Sequence, residues 1–216
     1  MYDLTLIRHG QAQTGATTEA SYDSLSELGH RQAGWLGEHI RANHGYDHVI
    51  SGSLNRQVQT AKGLGLDAPH TVDPRLNEMD YFGLADSLKK TRNVPWPTSE
   101  TEFLTHVPQL ITAWREGDIV DGLESYEAFC ARITGALEDA SKLEGRVLIT
   151  TSTGVISTLA TLSLGLDVAA KCKMFVSVAH TSLHRFALRQ DGLHLTQFAA
   201  TPHFDRPDRQ MMKTYI

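Results

Sequence analysis

Two cysteines in 216 residues are too few to hold a disulfide-built domain together. Cys130 and Cys172 stand in no metal-ligand spacing and read as free thiols of a reducing compartment. An apolar run long enough to span a bilayer is missing, as is a basic leader followed by an apolar stretch, so a cytoplasmic protein is expected. An excess of positive charge is missing too. Lys and Arg number 20 against 25 Asp and Glu, a formal charge of −5 with a pI near 6.1. That balance argues against broad binding to nucleic acid or acidic membranes, so any anion site must be a local concentration of Arg and His. Internal repeats and low-complexity segments are also lacking. What is present, 41% hydrophobic and 21% charged residues, is ordinary for a soluble chain long enough for one α/β domain with a sizeable core.

The order of elements follows from periodicity and punctuation. Tyr2 to Ile7 is a short bulky run expected to form a buried strand, and the polar stretch Gln11 to Ser24 an exposed loop. Ser26 caps an expected helix to about Arg41, with Ala33, Leu36 and Ile40 on one face. His48 to Ser51 is a second strand, followed by a helix over about 54–64 with Ser53 as its cap. His70 to Leu76 is expected as a third strand. Pro95-Trp96-Pro97 then introduces a helix from about Ser99 to Arg115, inside a stretch of about 85–122 that breaks the strand-helix rhythm and reads as an insertion or lid. A long helix is expected over 123–143, a fourth strand over 146–150, a helix over 155–164 and a fifth strand over 174–179. Two last strands, 181–188 and 193–199, are joined by a turn carrying Asp191-Gly192. The fold class is α/β: a three-layer sandwich with a mostly parallel central sheet, helices on both faces and an antiparallel edge near the C-terminus, in a single domain over 1–216.

Polar groups gather where these strands end. The first ends in Arg8-His9-Gly10: a planar fork of donors suited to phosphate or carboxylate, an imidazole able to act as nucleophile or proton carrier, and a glycine that lets a ligand approach. Arg56 sits in the first turn of the helix after the second strand, and Glu78 follows the third. Ser152 and Thr153 open the helix after the fourth strand, where free backbone N–H groups favour anions. Ligands of open α/β sheets sit at the carboxyl ends of strands. Two guanidiniums and a helix N-terminus describe a pocket for a dianionic phosphoryl group, and among them only the imidazole can attack phosphorus. A carboxyl whose pKa is raised by burial can protonate the leaving oxygen. The implied chemistry is phosphoryl transfer to His9 and then to water.

Leu6-Ile7-Arg8-His9-Gly10 resembles the signature of the histidine phosphatase superfamily, also called phosphoglycerate mutase-like. The similarity continues in order through Leu25 to Ala33, Ser51 to Ala61, Pro74 to Glu78, Glu124-Ser125 with Phe129 and Arg132, and Val147 to Ile156. It spares only about 85–122. The resemblance implies that His9 becomes a phosphohistidine, that Arg8 and Arg56 bind the phosphoryl oxygens, and that Glu78 is general acid and then base. It implies a phosphomonoester hydrolase with no cofactor and no metal, acting on a small phosphorylated substrate or a phosphoprotein, releasing inorganic phosphate, and needing neither nucleic acid nor membrane.

The chain departs from that family's pattern at one position. The turn after the fourth strand usually carries a second histidine, and alignment on Gly154-Val155-Ile156 puts Ser152 there. A hydroxyl donates one hydrogen bond but brings no positive charge. Losing a preorganised contact of this kind costs about 3 kcal/mol of transition-state stabilisation. A catalytically weakened phosphate-binding or regulatory member is therefore the alternative reading, and a phosphomutase a further one. His180, after the fifth strand, is a candidate to line the pocket and replace part of the missing donor capacity.

Overall fold

The computed structural model of the chain describes residues 3–13, 18–43 and 45–215. Tyr2, expected to begin the first strand, and residues 14–17 of the expected loop lie outside them. Within them the order is β1 (Leu4–Arg8), α1 (Glu19–Tyr22), α2 (Glu27–Ala42), β2 (His48–Ser51), α3 (Asn55–Gly63), β3 (His70–Val72), α4 (Tyr81–Arg92), α5 (Glu100–Arg115), α6 (Tyr126–Ala140), β4 (Val147–Thr151), α7 (Thr153–Leu164), α8 (Val168–Ser177), β5 (Leu183–Arg189) and β6 (Gly192–Ala200). The six strands form one sheet in the order β3-β2-β4-β1-β5-β6. β3, β2, β4 and β1 run parallel, whereas β5 and β6 are antiparallel additions beyond β1.

β1 is buried along its whole length because its alternating side chains feed two cores. Leu4 and Leu6 join a large cluster with Phe129 and Ile133 of α6, Val155 and Ile156 of α7, and Leu110 and Trp114 of α5. Ile7 points the other way, to Leu36 and Ile40 of α2, Ala61 of α3 and Leu64 just after it. Helices thus cover both faces of a mostly parallel sheet, as the strand-helix rhythm requires.

Three expectations about elements need correction. The third strand stops at Val72, because the Asp73 carboxylate accepts from the Arg75 N–H at 2.9 Å and Pro74 starts a 3₁₀ turn over Pro74–Leu76. Residues 174–177, expected in a strand, instead finish α8; Asp167 caps that helix by accepting from the Ala170 N–H at 2.7 Å. The cap of α3 is not Ser53. The N-cap residue is Leu54, which gives no side-chain bond, and the Asp23 carboxylate takes the N–H groups of Asn55 at 2.9 Å and Arg56 at 3.2 Å. Asp23 belongs to the stretch expected as a loop, which also holds the short helix α1.

Candidate functional site

The carboxyl ends of β1, β2 and β4 open into a cavity of about 240 Å³ lined by Arg8, His9, Arg56, Glu78 and Thr153 on its sheet side. Two hydrogen bonds by one hydroxyl align the first two ends. Thr60 of α3 accepts from the Gly10 N–H at 2.9 Å and donates to the Arg56 carbonyl at 2.6 Å. The turn after β1 is thereby tied to the first turn of α3. Gly10 is required there for close approach, since a Cβ on it would stand 2.5 Å from the Gly29 carbonyl oxygen of α2.

His9 is 3% exposed, and its Nδ1 lies 2.8 Å from the Gly10 carbonyl oxygen. A carbonyl only accepts, so Nδ1 carries the proton and Nε2 keeps its lone pair. Burial, then the charges of Arg56 and Arg8, hold the imidazole well below its ordinary pKa, so the ring is neutral and nucleophilic near pH 7. Arg8 is buried, donating from one terminal nitrogen to the carbonyls of Val178, at 2.6 Å, and of Tyr215. Arg56 pairs with Asp23 at 3.0 Å and lies 4.9 Å from the centre of the Tyr22 ring, which also meets His9 edge-on at 6.4 Å.

Glu78 reaches the cavity from the segment after β3, and its carboxylate sits on the N-terminus of α7. Oε2 accepts from the Gly154 N–H at 2.9 Å and Oε1 from the Met79 N–H at 3.0 Å. Gly154 makes this seat possible, since a Cβ there would fall 2.1 Å from Oε1. Burial raises the carboxyl's pKa above the ordinary value, against the opposing pull of the Gly154 N–H, Arg56, the Met79 N–H and Arg8. The segment is pinned from behind by Arg132 of α6, which donates to the carbonyls of Arg75 at 2.7 Å and Asn77 at 2.8 Å while pairing with Glu124 at 2.6 Å.

Ser152, Thr153 and His180 fall in different places. Ser152 is fully buried away from the lining, and its hydroxyl accepts from Gln57 Nε2 at 2.8 Å. Thr153 lines the cavity, and its buried hydroxyl has no hydrogen-bond partner among the described residues. His180 stands behind His9, ring centre to ring centre 5.7 Å, outside the lining. Its Nδ1 is 2.9 Å from the Thr214 hydroxyl, and its buried Nε2 has no hydrogen-bond partner among the described residues. Thr181 beside it, at φ 59° in the left-handed region that β-branched residues avoid, is held there by its N–H to the Arg8 carbonyl at 3.1 Å and its hydroxyl to His203 at 2.8 Å.

The opposite side of the cavity is apolar. Tyr81 and Phe82 at the start of α4, Phe103 of α5, Phe175 and Val176 of α8, and Met79 line it, while Tyr22 and Tyr215 stand beside Arg8, His9 and Arg56. Trp96, by contrast, packs behind the roof, 5.7 Å from Phe82 between ring centres, with its N–H on Asp86 at 2.9 Å. Neither Asp23 nor Tyr22 was signalled by sequence pattern. The roof helix α4 had one unused cue, Asp80, whose carboxylate accepts from the Gly83 N–H at 2.8 Å. Among the described residues no three His, Cys, Asp or Glu side chains are placed to hold a metal, and no helix is long and apolar enough to cross a membrane.

Comparison with known proteins gives the same outline. The model of the histidine phosphatase superfamily (branch 1) matches residues 4–201. A probable phosphoglycerate mutase GpmB from Yersinia pestis is 27% identical over 219 residues, covering 96% of this chain and 97% of that protein. Among solved structures, an alpha-ribazole phosphatase from Shigella flexneri superposes with a TM-score of 0.65 at 22% identity, covering 92% of this chain and 96% of that one. A mycobacterial glucosyl-3-phosphoglycerate phosphatase in complex with VO3 superposes with a TM-score of 0.64 at 24% identity, covering 93% and 100%. At these identities the superpositions speak to the fold.

Proposed function

This chain belongs to the histidine phosphatase superfamily, and on that premise we propose that it is a phosphomonoester hydrolase working through a phosphohistidine on His9. The observation that carries the reading is the meeting, on one cavity wall, of a neutral imidazole, two guanidiniums and a carboxyl of raised pKa. His9 Nε2 attacks phosphorus and the ester P–O bond breaks as Glu78 passes its proton to the leaving oxygen. Glu78, now a carboxylate, takes a proton from water, whose oxygen displaces His9 and releases inorganic phosphate. Arg8 and Arg56 neutralise the phosphoryl oxygens, and the Thr153 hydroxyl, unpartnered in the lining, donates where the family's second histidine would. The chain acts as one domain, with the stretch of about 85–122 covering the pocket as a lid.

His9→Ala tests the mechanism. It abolishes hydrolysis of 4-nitrophenyl phosphate and removes an acid-labile, base-stable phosphoryl label; persistence of either defeats the reading. His180→Ala tests a second role: His180 lies one ring behind the nucleophile, and unchanged activity and phosphate affinity in the variant exclude it from the site.

A weakened, phosphate-binding member of the family is the competing reading, favoured by one observation: Ser152, which the resemblance aligns with the second histidine, is turned onto Gln57. Tight vanadate binding with no turnover across a panel of phosphate esters and phosphoproteins is its signature. Ser152→His then raises the rate if the deficit is catalytic alone, though the imidazole has to displace Gln57.

A further inference from the structure

We infer that the alcohol this site accepts is uncharged and ring-bearing, and that esters whose alcohol carries a carboxylate or a second phosphate are discriminated against. The inference rests on the phosphatase reading of His9. It comes from the distribution of charge around the cavity. The cations in the lining are Arg8 and Arg56, which belong to the phosphoryl group, and Arg56 already pairs with Asp23. Facing them are Phe82, Phe103, Phe175, Val176, Met79 and the ring of Tyr81. The Tyr81 hydroxyl, 3.3 Å from His106 Nδ1, is turned onto the protein.

The cavity shares Phe103 and Tyr215 with an open cleft of about 530 Å³, and among the described residues the one charged side chain lining that cleft is Glu100. A distal anion therefore meets no cationic side chain in the cleft and a carboxylate beside it. Moving an ionised group against such a wall without a partner is strongly unfavourable. A ring gains by the same burial, and aromatic walls reward edge or offset contact with it. The volume agrees: an apolar cavity of about 150 Å³ suffices for benzene, and this one holds about 240 Å³.

The test compares 2-phenylethyl phosphate with 3-phosphoglycerate and glycerol 1-phosphate, whose leaving groups are all ordinary alcohols, so intrinsic reactivity does not bias the comparison. The expected result is a kcat/KM for the phenylethyl ester about a hundredfold above that for 3-phosphoglycerate, with glycerol 1-phosphate between them. Phe175→Ala lowers the phenylethyl value about tenfold and shrinks the ratio. Equal values, or a preference for 3-phosphoglycerate, overturn the inference. Turnover of 4-nitrophenyl phosphate, measured alongside, separates the two failures. If it is absent, the phosphatase reading fails and the preference is read by calorimetric binding of the same esters to the His9→Ala protein, where tighter binding of 3-phosphoglycerate overturns the inference independently.

Discussion

The two walls of the cavity are built in opposite ways. The polar wall comes from sheet ends: Arg8 and His9 close β1, Arg56 follows β2 by one turn, Glu78 follows β3, and Thr153 follows β4. Each residue is placed by a strand that is itself fixed in register, and short bonds such as those of Thr60 lock the ends together. The apolar wall comes from helices: α4, α5 and α8 each bring an aromatic residue to the cavity while other apolar residues of theirs pack into the large core. A group that must meet a phosphorus atom to within a fraction of an ångström is carried by the stiffest part of the fold. Groups that need only to exclude water and fit an alcohol ride on the packed cover. On the proposed reading, the sheet wall sets the reaction and the helix wall sets the substrate.

That division can be broken or sharpened by experiment. The largest effect is expected from Arg56→Ala, which removes charge from the polar wall. It should lower kcat/KM by about three decades, equally for phenylethyl and glycerol esters; an unequal loss would mean that this wall also reads the alcohol. Glu78→Gln should lower kcat for an alkyl ester by about two to four decades but change 4-nitrophenyl phosphate much less, whose leaving group needs no proton. A general acid acts when protonated, so activity falls as pH rises through its pKa. Burial moves that limb of the pH profile upward, and the glutamine variant should lose it. Next in size, Thr153→Ala should cost about tenfold in kcat, whereas Ser152→Ala, away from the lining, should leave kcat within about twofold. The reverse ranking would return the phosphate to Ser152.

The smallest effect on turnover is expected from Lys171→Met in α8, which supports the apolar wall from behind. Lys171 is 1% exposed, with Nζ 2.8 Å from the Thr158 hydroxyl, and burial lowers its pKa from 10.5 to about 8. Below about pH 8 both folded and unfolded chains carry this proton, and the penalty for burying the charge is present in full. Between about 8 and 10.5 the unfolded chain binds more protons, so stability rises with pH. The penalty is on the order of 3 kcal/mol. Chemical denaturation from pH 7 to 10.5 should show this rise in the native protein and its loss in Lys171→Met.

The polar wall is largely readable because its residues lie at or within six positions of a strand end, and the strand-helix alternation places such positions together. Arg8, His9, Arg56 and Glu78 lie where that alternation puts them. What the alternation does not encode is partnership across the chain. Asp23 caps α3 and pairs with Arg56 from a stretch with no pattern of its own, and the seat of Glu78 on α7 appears only once Gly154 is seen to leave room for it. The turn of Ser152 onto Gln57 is likewise a matter of packing. The apolar wall departs from its sequence pattern for a local reason. Met174-Phe175-Val176-Ser177-Val178-Ala179 has the composition of a strand, and the run Asp167 to Cys172, a cap followed by alanines, was the weaker cue to a helix. Phe175 consequently went unseen.

The position of β1 has a consequence for how the molecule is made. Its partners are far along the chain: Thr5 pairs with Leu148 and Leu4 with Phe186. Synthesis from the amino end delivers β1 well ahead of its partners, and Leu6 and Ile7 gain neighbours on both edges only after residue 183 has emerged. Until then a short, bulky strand has at least one open edge, a state prone to pairing with another chain. Contacts of such long sequence separation also slow the closing step. On the proposed reading, the strand that carries the nucleophile is therefore enclosed late, and a chain ending before β5 leaves one of its edges open.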